Sequence, residues 1–266
     1  MIELAKRAAK EAGTYLLGSL GKALHIEKKE GQETNIVTQI DKGAEEIIIG
    51  MIRKEHPDHS FLAEESGGDK QVSDYLWVID PLDGTVNFAH GMRLFSVSIA
   101  LLYRGNIVLG VVYDPCADEL FSAERGKGAF LDGKPLHVSK ADRLIDSLLV
   151  TGFPYAIKEN PNNAVEHFVN FLYEARGIRR LGSAAIDLAY VAAGRLDAFW
   201  EVWLHPWDQA AGILLVEEAG GKVSNFTGDP MTIYNKDILA TNTLIHDQMI
   251  EVLKRGTNQR VTIVGK

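Results

Sequence analysis

The chain has 266 residues, 46% hydrophobic and 24% charged, and a formal net charge of −8. This length allows one large domain or two modest ones with a substantial core. The acidic balance, without a dense Lys/Arg stripe, argues against nucleic acid as the main partner. It does not argue against an anionic substrate, because bound cations reverse the local charge of a site.

The location of the protein can be predicted from its cysteine content and its apolar segments. A single cysteine, Cys116, excludes an internal disulfide and suits a reducing compartment. The N-terminal segment lacks the apolar core of a signal peptide, and no window of about 18 uncharged apolar residues could span a membrane. We therefore expect a cytoplasmic protein with no membrane partner.

The first half of the chain combines two helices with short β-rich runs. Apolar residues at helical spacing predict helices over 2–20 and 38–53, separated by a polar, loop-like stretch at 26–34. Residues 126–135 contribute further turn residues. The β-rich runs are 60–63, 76–79, 96–103, 106–113 and 119–124. Turn residues divide the last three of these runs, which indicates an antiparallel meander.

After about residue 145 the pattern changes to helices between short strands. Glycines end two of the helices, at 194 and 220–221. No internal repeat or low-complexity linker occurs, so we expect an α+β fold in one compact unit with two lobes, about 1–144 and 145–266. The predicted helices are 164–175, 183–193, 209–219 and 245–254, and the predicted strands are 147–151, 198–201, 223–224 and 238–241.

The most informative motif lies where the apolar strand 76–79 stops at a carboxylate. Asp80 and Asp83 flank a proline turn, and the Leu82 carbonyl is available between them. Mg²⁺ is typically held by one or two carboxylates together with the oxygens of a substrate phosphate. Gly84 and Thr85 follow, and they can present backbone N–H groups to a phosphate, more so if a helix starts there. The motif therefore predicts a metal and phosphate site.

Three further acids could join this site. They are Asp41 in the first turn of a helix, Glu64 after a short strand, and Asp208 before a helix. Each has an ordinary structural alternative, such as a solvated loop or a helix N-cap, and the Asp-Pro and Asp-Gly pairs are common in turns. His205 precedes Trp207 and Asp208 and could contact the site, but a packing role or support of the site residues is favoured. The combination of the four clusters favours a shared site over separate structural roles.

Together these motifs resemble the inositol monophosphatase family of metal-dependent, lithium-sensitive phosphatases. WVIDPLDGTVNF (77–88) and HPWDQAAG (205–212) are the most specific segments, and EES (64–66) falls at the expected place. LGSAAIDLAYVAAGRLDAFWE (181–201) looks like the substrate-side segment of the family. The resemblance covers nearly the whole chain and is greatest to the bacterial and archaeal inositol-1-phosphatase type.

The resemblance implies roles for individual residues. Metal ligands would be Glu64, Asp80, the Leu82 carbonyl, Asp83 and Asp208. Glu64 and Thr85 would orient the attacking water, and Asp41 would be the remaining acid. Val86 departs from the second threonine of many relatives, which changes local hydrogen bonding without affecting Thr85. Contacts to substrate would come from Asp83, Gly84, Thr85, Gly182, Ser183, Ala184, Glu201 and Asp208.

The resemblance also implies the fold and the reaction. We expect a layered αβαβα sandwich of the sugar-phosphatase type, often a homodimer, with two or three Mg²⁺ per site. The expected reaction is hydrolysis of inositol 1-phosphate or a similar small polyol phosphate. The alternatives are a sister phosphatase acting on fructose 1,6-bisphosphate (with dual activity open), 3′-phosphoadenosine 5′-phosphate or histidinol phosphate, and a non-catalytic cation-binding interaction protein.

Overall fold

The structure, a computed structural model, describes residues 1–21, 26–28, 36–69 and 72–256, and at 26–28 and 36–38 it describes only the backbone. The helices are α1 (Ile2–Ser19), α2 (Gln39–Glu55), α3 (Thr85–Ala89), α4 (Ala164–Glu174), α5 (Ala184–Ala192), α6 (Pro206–Glu218) and α7 (His246–Leu253). Short 3₁₀ helices occur at Leu144–Asp146, Ile157–Glu159 and Pro161–Asn163.

The strands form a large sheet, a smaller sheet and a hairpin. The hairpin pairs β1 (Ile26–Lys28) with β2 (Ile36–Thr38). The large sheet contains β3 (Ser60–Ala63), β4 (Gly67–Gly68), β5 (Tyr75–Asp83), β6 (Ser96–Tyr103), β7 (Asn106–Asp114), β8 (Glu119–Glu124), β9 (Gly128–Leu131) and β10 (Lys134–Pro135). The smaller sheet contains β11 (Leu148–Thr151), β12 (Gly177–Arg179), β13 (Ala198–Val202), β14 (Lys222–Ser224) and β15 (Asp237–Thr241).

The eight-stranded sheet has the order β10-β9-β8-β7-β6-β5-β3-β4 and is antiparallel except where β3 pairs with β5. The predicted meander of β6, β7 and β8 is confirmed. β9 and β10 extend it through a stretch in which the sequence indicates only turn residues. The five-stranded sheet has the order β12-β11-β13-β15-β14, with β12, β11 and β13 parallel.

Packing arranges these elements in five layers. α1 and α2 cover one face of the large sheet, and α5 and α6 lie between its other face and the smaller sheet. α4 and α7 pack together beyond the smaller sheet, where residues of α7 share a core with β11, β13 and β15. The layers give the expected αβαβα sandwich. No helix of the described residues is long and apolar enough to cross a membrane.

The central layer explains why α6 is apolar on all sides. Residues 209–216 are all buried, because α6 contacts the large sheet on one side and β14 and β15 on the other. A helix between two sheets has no solvent-facing stripe. Its close packing fixes the first turn of α6 opposite the end of β5, which sets up the site described below.

Several element boundaries differ from the sequence predictions. β5 continues through Asp83 instead of stopping at Ile79, and α6 begins at Pro206 instead of Gln209. α3 and β12 have no predicted counterpart, because a five-residue helix and a three-residue edge strand give little periodic signal. Residues 26–28 form a strand where a loop is predicted, and the rest of that stretch, 29–34, lies outside the described residues.

Candidate active site

A β-bulge shapes the end of β5. Asp80 pairs with Ser98 and Asp83 with Ser96, so three steps along β5 match two steps along β6. Such a bulge bends a strand and changes the direction of its side chains. Pro81 fits here because it has no N–H group for the ladder. As a result, Asp80 and Asp83 both line the same cavity.

The turn after the bulge joins β5 to α3. Gly84 has φ 98°, and a Cβ there would lie 3.2 Å from the carbonyl oxygen of Gly182, so glycine suits both the conformation and the close approach. The Leu82 N–H donates to Asp80 Oδ1 at 3.0 Å, and the Thr85 hydroxyl donates to the Leu82 carbonyl at 3.0 Å. The N–H groups in the first turn of α3 have no acceptor within the helix, as at any helix start.

Asp83 connects this turn to the N-terminus of α5. Its Oδ2 accepts hydrogen bonds from the Ser183 hydroxyl at 2.6 Å and the Ala185 N–H at 2.7 Å. Ser183 is the N-cap of α5 and accepts from the Ile186 N–H. Burial raises the pKa of Asp83 to about 6, although both hydrogen bonds oppose the shift. The carboxylate thus links the end of β5 to the start of α5.

The turn that carries Glu64 is held by α2. Glu64 follows β3, and its N–H donates to the Ile79 carbonyl. Glu45, which is 4% exposed, accepts from the backbone N–H groups of Glu65 and Ser66 at 2.8 and 2.9 Å. α2 therefore fixes the Glu64 turn through Glu45, a residue with no role predicted from the sequence.

Asp208 lies in the first turn of α6. Its Oδ2 accepts the N–H of His205, the N-cap residue, at 2.6 Å, which forms a capping box. Asp208 is therefore not itself the N-cap. The His205 ring stacks on Trp207, with 4.9 Å between ring centroids and 6° between planes, and His205 also lines the cavity. Burial, followed by the charges of Asp83 and Glu64, raises the pKa of Asp208 well above its ordinary value.

The acids meet in one cavity of about 520 Å³. Within the described part of the chain, its lining holds six carboxyl groups and a single guanidinium, Arg180. Burial raises the pKa of Asp80 well above its ordinary value, and neighbouring acids, Asp41 among them, add to the shift. A fully ionised cluster of this kind requires added positive charge. The six carboxyl groups that line the cavity are those of Glu64, Asp80, Asp83, Asp187, Glu201 and Asp208.

Comparison with known proteins identifies the family of this site. Residues 1–258 match the inositol monophosphatase family. The chain belongs to that family. Among its curated relatives, inositol-1-monophosphatase of Synechocystis sp. is 45% identical over 95% of this chain and 88% of its own. The protein named Nus factor SuhB in Pseudomonas aeruginosa is 46% identical over 91% of this chain and 92% of its own.

Solved structures show the same fold. The inositol monophosphatase of Anabaena superimposes with a TM-score of 0.88, at 44% identity over 97% of both chains. The extragenic suppressor protein suhB of Bartonella henselae gives 0.91, at 43% identity over 96% of this chain and 98% of the other. With relatives named inositol-1-monophosphatase at 41% identity and above, the chain is a phosphatase of the inositol monophosphatase family.

The donor set of the site fits a hard cation. No three Asp, Glu, His or Cys side chains among residues 1–21, 39–69 and 72–256 are already arranged as a metal cage. Mg²⁺ needs no such cage, because it keeps several waters and takes few carboxylates together with phosphate oxygens. Buried acids that raise one another's pKa next to the Leu82 carbonyl provide that chemistry. The residues therefore fit Mg²⁺.

The sequence-predicted residues come together, with one partial exception. Asp41 is 1% exposed and acts on Asp80 through its charge, but it does not line the cavity. Glu201, on β13, lies within the same cavity, and burial raises its pKa to about 8. The other predicted residues that line the cavity are Glu64, Asp80, Leu82, Asp83, Gly84, Thr85, Gly182, Ser183, Ala184 and Asp208.

Several other residues of the lining have no role predicted from the sequence. Asp187 is 1% exposed, and its Oδ1 has no hydrogen-bond partner among the described residues. Burial and the charge of Glu201 raise its pKa well above the ordinary value. Helical spacing from Ser183 could have identified Asp187, since i and i+4 share a helix face. Gly152, Tyr155 and Trp203 give no comparable local signal.

Proposed function

We propose that this phosphatase is a Mg²⁺-dependent phosphomonoesterase that hydrolyses inositol 1-phosphate to inositol and phosphate. The supporting observation is the convergence of Glu64, Asp80, Asp83 and Asp208 in one cavity, opposite the first turn of α3. The relatives named inositol-1-monophosphatase support the choice of substrate. Glu201 supports a hydroxyl-rich leaving group, because a carboxyl group accepts hydrogen bonds from hydroxyl groups whether or not it is protonated.

The four carboxylates and the Leu82 carbonyl would hold two or three Mg²⁺ ions, which supply positive charge for phosphate and activate water. Glu64 would accept a proton from the attacking water. Thr85 would help to orient that water, because its hydroxyl proton is committed to the Leu82 carbonyl and its lone pairs remain available. Asp41 lies outside the cavity lining, and its negative charge would act on the site through Asp80.

The backbone and the far wall of the cavity would bind the substrate. N–H groups at Gly84 and Thr85 would donate to phosphate oxygens, as helix starts commonly do. Gly182, Ser183 and Ala184 would face the ester from the start of α5, on the other side of the Asp83 carboxylate. Glu201 would then accept hydrogen bonds from polyol hydroxyls. The leaving group would therefore lie between α5 and β13.

The test is phosphate release from inositol 1-phosphate with saturating Mg²⁺ and with a chelator. We expect release only with metal, and a loss on the order of a hundredfold for Asp83→Asn. Asp247→Asn, on the exposed face of α7, is the matched control and should retain activity. Activity of Asp83→Asn close to that of the unmodified protein at saturating Mg²⁺ would refute the assignment. Thermal unfolding of both variants in chelator separates loss of chemistry from loss of fold.

Two alternatives are decided by the same assay with more substrates. Fructose 1,6-bisphosphate, 3′-phosphoadenosine 5′-phosphate and histidinol phosphate would identify a sister activity or a dual one. Relatives named Nus factor SuhB favour the other alternative, a cation-binding interaction protein. If the chain binds Mg²⁺ but releases no phosphate from any of these substrates, it is a non-catalytic, cation-binding interaction protein.

Further properties remain predictions. Lithium inhibition is expected if Li⁺ competes for the same carboxylates, and phosphate release at increasing LiCl tests it. A homodimer is expected from the family, and light scattering measures it. The cytoplasmic location and the division into lobes at about residue 144 are likewise proposals, testable by fractionation and by expression of the two parts.

A further inference from the structure

Trp203 has an unusual backbone conformation. Its φ is 64°, in the left-handed region that costs a side chain with a Cβ steric energy and that glycine adopts freely. Eight non-glycine residues of the described chain have positive φ, and Trp203 is the only aromatic one. The others are Arg104, Asp118, Asp132, Asn160, Asn162, Asn163 and Thr243.

The need for a positive φ comes from the path of the chain. Val202 is still paired with Asp237 in the sheet, and the Trp203 N–H donates to the Lys236 carbonyl. Only two residues later, His205 caps α6. The tight turn at Trp203 brings the end of β13 and the start of α6 to one cavity. This geometry calls for glycine or asparagine, and it does not explain tryptophan.

The position of the indole gives a reason for tryptophan. Trp203 lines the cavity and remains 45% exposed, so its ring lies at the rim and not in the core. In sequence it stands between Glu201 and Asp208, which line the same cavity. Tyr155, 44% exposed, is another aromatic residue of the lining. Backbone strain of this kind clusters at active sites and ligand-binding positions.

We propose that Trp203 is a specificity-determining residue whose indole packs against the C–H face of a cyclic leaving group. The inference rests on the proposed function and refines its substrate class. A cyclic polyol presents hydroxyls at its edge and C–H groups on its faces. Glu201 would accept hydrogen bonds from the edge while the electron-rich face of the indole covers the C–H groups. An acyclic polyol phosphate offers no such face.

The experiment compares kcat/KM for inositol 1-phosphate with kcat/KM for acyclic glycerol 2-phosphate. Trp203→Gly removes the ring and suits the backbone, so we expect the ratio of the two values to fall about fivefold, mainly through KM for inositol 1-phosphate. Trp203→Phe keeps an aromatic ring and should retain most of the ratio. Thr243→Gly, a matched change at another positive φ outside the cavity, should leave the ratio unchanged.

Two results would overturn the proposal. One is a Trp203→Gly ratio within twofold of the unmodified protein, and the other is a Trp203→Phe ratio as low as that of Trp203→Gly. If the unmodified protein released no phosphate at all, the proposed hydrolysis would fail separately. Calorimetric titration with inositol 1-phosphate would then decide the role of Trp203, with binding about fivefold weaker in Trp203→Gly expected and equal binding refuting it.

Discussion

Glu45→Gln tests how α2 positions the Glu64 turn. The Glu45 carboxylate is buried and accepts two backbone N–H groups with its two oxygens, at 2.8 Å from Glu65 and 2.9 Å from Ser66. Glutamine has nearly the same shape but only one acceptor oxygen. Its NH₂ group would face one of the two backbone donors, so that donor would lose its partner in a buried position.

The size of the effect follows from this geometry. Hydrogen bonds to a charged acceptor are stronger than neutral ones, and a buried donor without a partner costs about 1 to 3 kcal/mol. We expect Glu45→Gln to lower the free energy of unfolding by about 2 kcal/mol. A looser Glu64 turn should also raise the Mg²⁺ concentration needed for half-maximal activity, on the order of tenfold by comparison with residues that orient metal ligands.

Urea unfolding in excess chelator measures the stability without any contribution from metal. Phosphate release against Mg²⁺ concentration measures the second effect. Glu46→Gln is the control, because Glu46 is the next residue on α2 and is exposed. A stability within about 0.5 kcal/mol of the unmodified protein, together with an unchanged Mg²⁺ dependence, would show that Glu45 does not hold this turn.

Three further predictions concern the metal, the polyol side and pH. Mg²⁺ at a hundredfold excess over its Kd should stabilise the fold by about 2.7 kcal/mol, which raises the unfolding midpoint by about 5 to 10 °C in a thermal melt. Gly152→Ala should raise KM for inositol 1-phosphate about tenfold, because a Cβ there would overlap the Glu201 carboxyl group. The overlap should weaken binding of the substrate and of the transition state equally, so kcat should be retained. Burial, followed by the charge of Lys222, lowers the pKa of His246 to about 4. As the pH falls, the imidazole takes up a proton in the unfolded chain before it does so in the folded chain, so acidification destabilises the fold. In urea unfolding, His246→Gln should therefore lose about 2 kcal/mol less stability between pH 7 and pH 5 than the unmodified protein.

Each of these predictions has a control and a contradicting result. Equal melting midpoints in chelator and in Mg²⁺ would contradict a metal site, and Asp83→Asn should lose most of the shift. Gly50→Ala, on α2 where a Cβ meets open space, should leave KM unchanged, and an unchanged KM for Gly152→Ala would contradict the role of Glu201. Parallel pH dependences for His246→Gln and the unmodified protein would show that the buried imidazole is not the titrating group.

Much of the fold could be predicted because its signals are local. The apolar spacing of α1 and α2 and the alternation of strands with turn residues in the meander depend on neighbouring residues alone. Short elements that depend on distant partners could not be predicted. β12 exists because β11 lies beside it, and the bulge in β5 exists because its register with β6 changes between Asp80 and Asp83.

Short motifs in the sequence are enough to predict a cation and phosphate site in this protein. Its acids, the Leu82 carbonyl and the glycine turn stand in short motifs, and their residue types indicate cations and phosphate before any fold is known. Which distant groups meet these motifs depends on the packing of the layers. Glu45 reaches the Glu64 turn from α2, and a tight turn at Trp203 puts an indole at the cavity rim. Contacts between residues far apart in sequence depend on how layers pack, and no local pattern encodes them.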